Sequence, residues 1–137
     1  MMLPVLLKKT LEPVIPQGFI IKKSPYHHCL ELYPSSEWES EVNKVKELNT
    51  FLKETHDFLR KYTAGFRMVE LDNAGRLLIP KDLIVFASIK KEVVINGYTK
   101  MIEIWDKARY EKVVGDSTMN YAMLADKLFG SSNKGES

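Results

Sequence analysis

A chain of 137 residues, 45% apolar and 28% charged, is long enough for one soluble domain or for two small repeats sharing a core. Its longest apolar runs, 3-LPVLL-7 and 83-LIVFA-87, fall far short of the ~20 residues of a membrane span, and Lys8 and Lys9 follow the first run instead of preceding it as in a secretory signal. The single cysteine, Cys29, excludes an internal disulfide and fits a reducing cytoplasm, while twenty basic against eighteen acidic residues leave a net charge of +2, too small to mark a nucleic-acid binder by itself.

In chain order, 2-MLPVLLK-8 carries a proline followed three residues later by Leu7. Apolar runs at 19–23 and 29–33 predict two strands joined by the looser turn 24-SPYHH-28. Ser35 or Ser36 is placed to cap a helix. Val42, Val45, Leu48, Leu52, Phe58 and Leu59 then recur near the 3.6-residue period, with a break expected at 49-NT-50, and a turn at 62-YTAG-65 ends this connector. In 70-ELDNAGRLLIP-80 a strand leads into an Asp-Asn-Ala-Gly turn, an arginine and a second apolar run. Pro80 suits the first turn of a short helix reaching Ser88, with Asp82 complementing its dipole. Strands at 92–96 and 101–105 are expected to join through 96-NGYTK-100, where Asn-Gly is a strong turn signal. Ile102 and Ile104 alternate with Glu103, one face in and one out. Asp106 stands at an N-cap position before a helix over 109–114. A further helix is expected over 117–129, with Tyr121, Leu124, Ala125 and Leu128 on one face, and then a disordered tail.

Much of the second half repeats the first. In 30-LELYPSSEWESEV-42 and 102-IEIWDKARYEKVV-114, Glu31 matches Glu103, Glu39 matches Glu111 and Val42 matches Val114. Tyr33 stands opposite Trp105 and Trp38 opposite Tyr110, which marks these rings as core or interface anchors, with a base-stacking platform as the weaker alternative. Upstream, 2-MLPVLLK-8 matches 78-LIPKDLI-84, and 19-FIIK-22 matches 93-VVIN-96. Three blocks in the same order make two copies of one unit. The first spans about 1–48, the connector about 50–62, the second copy about 67–114, the last helix about 117–129 and the tail 131–137.

The order 72-DNAGR-76, 79-IP-80, 101-MIEIW-105 and 109-RYE-111, with 30-LELYPSSEW-38 before it, resembles the MraZ family of bacterial transcriptional regulators, encoded at the head of the division and cell-wall gene cluster. That resemblance implies an α+β fold: an AbrB-like swapped-hairpin β-barrel built from two pseudo-repeats with flanking helices. It also implies a ring-shaped homo-oligomer, associated with the nucleoid, whose arginine-bearing turns bind tandem repeats in promoter DNA. Carried over, Asp72, Asn73, Gly75 and Arg76 are the DNA-binding residues. Asp72 fixes the turn, Gly75 supplies its backbone, and Arg76 makes the main contact, since a guanidinium fork matches guanine O6 and N7. The structural alternative is that Asp72 and Arg76 only close a hairpin salt bridge. In the family the first copy has its own such turn ahead of the proline matching Pro4. The chain starts at Met1-Met2-Leu3-Pro4, past the place of that turn, so a first copy either shortened at its N-terminus or degenerated is expected, with shortening favoured because the rest of the copy is intact.

Other chemistries gain little. His27, His28 and Cys29 are metal-capable types, but neighbouring strand residues point to opposite faces, and two convergent ligands make no zinc site. No Ser/His/Asp set, phosphate-cradling glycine loop or cysteine pair occurs. The expectation is a double-stranded DNA partner, with no enzyme activity, cofactor, metal, membrane or small-molecule substrate. The alternative is an oligomeric scaffold or protein-interaction module with weakened DNA binding.

Overall fold

The computed structural model describes residues 1, 5–98, 100–116 and 120–134. Five strands form one antiparallel sheet in the order β3-β1-β2-β5-β4: β1 Phe19–Lys23, β2 Leu30–Pro34, β3 Arg67–Val69, β4 Val93–Tyr98 and β5 Met101–Asp106. Two hairpins, β1–β2 and β4–β5, meet along β2 and β5. Among the described residues the sheet is open, with β3 and β4 at its edges.

The register carries the mark of the duplication. Glu31 lies opposite Glu103, its own counterpart, while Leu30 faces Ile104 and Leu32 faces Ile102. Such crossed pairing of equivalent residues is what a local two-fold axis through Glu31 and Glu103 produces. A second self-pairing repeats it. Matching Pro4 to Pro80 makes Met1 the counterpart of Leu77, and these two backbones bond each other, Leu77 N–H to the Met1 carbonyl at 2.6 Å and the Met1 amine to the Leu77 carbonyl at 2.8 Å.

Alternation along the strands divides the sheet into two faces. Phe19, Ile21, Leu30, Leu32, Ile102 and Ile104 point into the core, closed by Leu77, Ile79, Leu83 and Ala87. Leu83 and Ala87 come from the expected short helix, α4, Lys81–Ala87, with Pro80 at its N-cap instead of in its first turn and its end where Ser88 takes a left-handed φ of 53°. On the other face Tyr33, Trp38, Tyr62 and Phe66 form a ring cluster, with Trp38 stacked on Tyr62 at 5.7 Å and edge-on to Tyr33 at 5.4 Å. Beside it lies a buried ion pair, Lys22 Nζ to Glu31 Oε1 at 2.6 Å. The aromatic residues at equivalent repeat positions therefore act as anchors: Tyr33 and Trp105 are buried, so neither offers a platform for stacked bases.

The helices of this first unit, Met1–Lys107, are α1 Val5–Leu11, α2 Ser35–Val45, α3 Lys53–Tyr62 and α4, with a 3-10 turn over Glu12–Gln17 that the sequence did not announce. The connector breaks between α2 and α3, as expected around 49–50. Three local expectations need correction. Neither Ser35 nor Ser36 caps α2: Pro34 holds the N-cap position without a side-chain bond, and the Ser35 hydroxyl donates to the Gln17 and Gly18 carbonyls instead. The Asn96-Gly97 pair makes no turn. Both residues lie inside β4 and the chain reverses between Tyr98 and Met101, because pairing Val94 with Trp105 and Ile95 with Ile104 fixes a longer hairpin. The second unit, Ala108–Ser137, contains most of α5, Lys107–Val114, and all of α6, Tyr121–Lys134. The last helix thus runs four residues into the expected tail, whose remaining positions 135–137, like the expected helix start at 117–119, lie outside the described residues.

Candidate nucleic-acid interface

The 72–76 turn is built from its aspartate outward. Asp72 Oδ1 accepts the N–H groups of Ala74 at 2.9 Å and Arg76 at 2.8 Å, an aspartate turn that replaces backbone partners with a side chain. Its other oxygen, Oδ2, accepts Arg76 Nε at 3.0 Å. The main chain closes the same loop, with Asp72 N–H on the Arg76 carbonyl and Gly75 N–H on the Asp72 carbonyl, both at 2.9 Å. Gly75 adopts φ +78°, a left-handed conformation that a side chain disfavours. These bonds, led by the Arg76 backbone N–H, hold the Asp72 carboxyl below the usual carboxylate range. It therefore stays charged, and the turn stays tied, well into acid.

The turn is also tethered at both ends. Leu71 bridges to Leu77, and Leu77 is fully buried while Leu71 packs against the core. Because β3 runs antiparallel to β1, from Arg67 opposite Ile21 to Val69 opposite Phe19, the turn emerges past the Phe19 end of β1. The 24–28 hairpin loop lies at the other end of that strand.

Arg76 leaves this frame 61% exposed. Only Nε is engaged; among the described residues nothing bonds its two terminal nitrogens. An exposed pair of this kind adds little to stability. Its geometric effect is larger, because the guanidinium plane is fixed at one edge while its outer fork faces solvent. Asn73 projects from the exposed tip of the same turn. The structure thus brings Asp72, Asn73, Gly75 and Arg76 into one rigid element.

The turn has a neighbour from outside the motif. A Cβ built on Gly75 would fall 2.5 Å from Lys8 Nζ and 2.9 Å from its Cε, so the Lys8 chain of α1 lies directly across the glycine. The sequence held a signal for it, since Lys8 occupies the position that is Ile84 in the second copy, where the side chain packs against the core.

The metal-capable residues of the hairpin loop go elsewhere. His27 packs on Trp105 and His28 stacks on Phe86 at 5.1 Å. Cys29 is buried with Sγ 4.0 Å from Glu103 Oε2, and burial together with that carboxylate pushes its thiol up to about 12, which leaves it unreactive. Among the described residues no three His, Cys, Asp or Glu side chains group as a metal ion would require.

Comparison with known proteins gives a concordant result. A family model described as "MraZ protein, putative antitoxin-like" matches residues 63–130, a span containing the whole 72–76 turn. The chain is 47% identical to the transcriptional regulator MraZ of Flavobacterium psychrophilum over 99% of its own length and 87% of the relative's. It is 46% identical to that of Christiangramia forsetii over 95% and 84%, and 34% identical to that of Cytophaga hutchinsonii over 98% and 88%.

Proposed function

Because the chain belongs to the MraZ family, we propose that it is a DNA-binding transcriptional regulator that reads tandem short repeats in a promoter, with the division and cell-wall gene cluster as its target. The observation that carries this reading is the Arg76 fork, aimed outward from a turn locked by Asp72 and Gly75. A guanidinium whose two terminal nitrogens are free can bond guanine O6 and N7 together in the major groove. Holding it in place beforehand removes the side-chain entropy that a free arginine would lose on binding. Asn73 supplies a second polar group at the same tip.

Tandem repeats call for several turns presented together, and a ring of copies supplies them. In its favour, α2 and α3 leave an apolar groove of about 410 Å³ lined by Val45, Leu48, Leu52, Phe58 and Tyr62, and Phe51 in the link between them is 97% exposed. We read this surface as a contact between copies. The swapped-hairpin arrangement fits the two self-pairings, Glu31 with Glu103 and Met1 with Leu77, which lie where an axis relating two interlocked repeats would pass. A regulator of this kind works in the cytoplasm, on the nucleoid.

The test uses DNA that the protein itself selects from a pool of random-sequence duplexes. The recovered duplex, titrated against its scrambled version at physiological salt, is expected to bind at least tenfold more tightly. Equal affinity for the two would leave the alternative, an oligomeric scaffold or protein-interaction module with weakened DNA binding.

A further inference from the structure

We infer that Lys8 is a second DNA contact on the same face, taking a backbone phosphate beside the base edge that Arg76 reads. This rests on the DNA-binding reading above and extends it to a residue outside the family-like motif. Lys8 reaches the turn from α1, sixty-eight positions away from Arg76 in the chain, and its ammonium end lies over Gly75, Nζ and Cε being 2.5 and 2.9 Å from where a Cβ would stand. The glycine takes the left-handed φ that the turn needs, and its bare backbone is where the ammonium end of the lysine settles.

The charge of Lys8 is not consumed within the protein. Among the described residues it pairs with no carboxylate, and the acid within the turn, Asp72, is already occupied by the N–H groups of Ala74 and Arg76 and by Arg76 Nε. Lys8 on Gly75 and Arg76 next to it in the chain bring two exposed positive charges to one turn, a disposition that a polyanion covering the turn would favour. The two groups also suit different parts of a duplex. The planar fork of arginine matches a base edge, whereas the compact, rotatable ammonium of lysine suits the point charge of a phosphate. In the second copy the same position is Ile84, turned to the core, so the contact belongs to the first copy's helix acting on the second copy's turn.

The experiment is a titration at several KCl concentrations of the selected duplex and its scrambled version with wild type, Lys8→Met, Lys8→Arg and Lys9→Met. Methionine keeps the length and helix propensity of lysine. Lys8→Met is expected to make the slope of log K against log salt shallower by about 0.9 for each protomer engaged, equally on both duplexes and with the ratio of their affinities unchanged. Lys8→Arg should retain the wild-type slope, and Lys9→Met should change it by less than half as much. A wild-type slope for Lys8→Met, or an equal loss for Lys9→Met, overturns the assignment of Lys8 while leaving DNA recognition intact. Failure of the wild type to distinguish the duplexes overturns both.

Discussion

Lys22→Met is expected to unfold the protein at markedly lower urea concentration, with a loss of ~3–5 kcal/mol in stability. The Lys22–Glu31 pair is 0% and 3% exposed, so neither ion has water to fall back on. Glu31 sits directly across β2–β5 from Glu103, and removing the ammonium leaves two carboxylates facing each other near the centre of the sheet. The Tyr62 ring, whose centroid lies 4.5 Å from Lys22 Nζ, would lose its cation as well. Against a domain stability of ~5–15 kcal/mol this is a large fraction. The pair itself is a weak source of net stability, because burying both ions costs nearly as much as their attraction returns. The double variant Lys22→Met/Glu31→Leu should therefore recover most of the loss. Urea midpoints with unchanged slope would measure both. A single variant within about 1 kcal/mol of wild type would show that water reaches the pair.

Arg76→Ala is expected to abolish most of the preference for the selected duplex while leaving the melting temperature nearly unchanged. Each bidentate arginine–guanine contact contributes ~1–3 kcal/mol of discrimination, roughly 5- to 150-fold, and a ring engaging several repeats multiplies the effect. The stability cost is small because the Asp72–Arg76 ion pair is half exposed, and the turn keeps the bonds from Asp72 Oδ1 to the backbone of residues 74 and 76. Arg76→Lys should lose nearly as much discrimination as alanine while holding more of the nonspecific affinity, since an ammonium keeps the charge without the fork. If Arg76→Ala instead unfolds the protein, the Asp72–Arg76 ion pair is a structural closure of the hairpin and not a DNA-reading element.

Both variants probe residues that differ in how visible they were in the sequence. The turn was legible because its chemistry is local: the aspartate bonds residues two and four positions ahead, and the glycine lies within the same five residues. The hairpins were legible from alternation, and the duplication exposed itself through Glu31 and Glu103 before their pairing was known. Lys22 was not legible. In sequence it flanks a strand like any surface lysine, and only the β1–β2 register, which sets it opposite Glu31, together with the cover of Tyr62, makes it a buried ion. The Asn96-Gly97 turn failed for a related reason, since a strong local preference yielded to the pairing of Val94 and Ile95 with the buried Trp105 and Ile104 of β5. The placement of Lys8 on Gly75 likewise depends on a contact between distant segments. What the chain decides within five residues could be read; what two distant strands or helices decide together could not.

The most direct test of the central claim, that the Asp72–Arg76 turn is the DNA-reading element, is hydrogen–deuterium exchange of the whole protein with and without the selected duplex. Bound DNA is expected to slow exchange in peptides covering residues 70–78 and to leave those covering the 24–28 hairpin loop, at the opposite end of β1, unchanged. Protection confined to the hairpin loop or to the α2–α3 groove, with the turn exchanging at its free rate, would contradict the account.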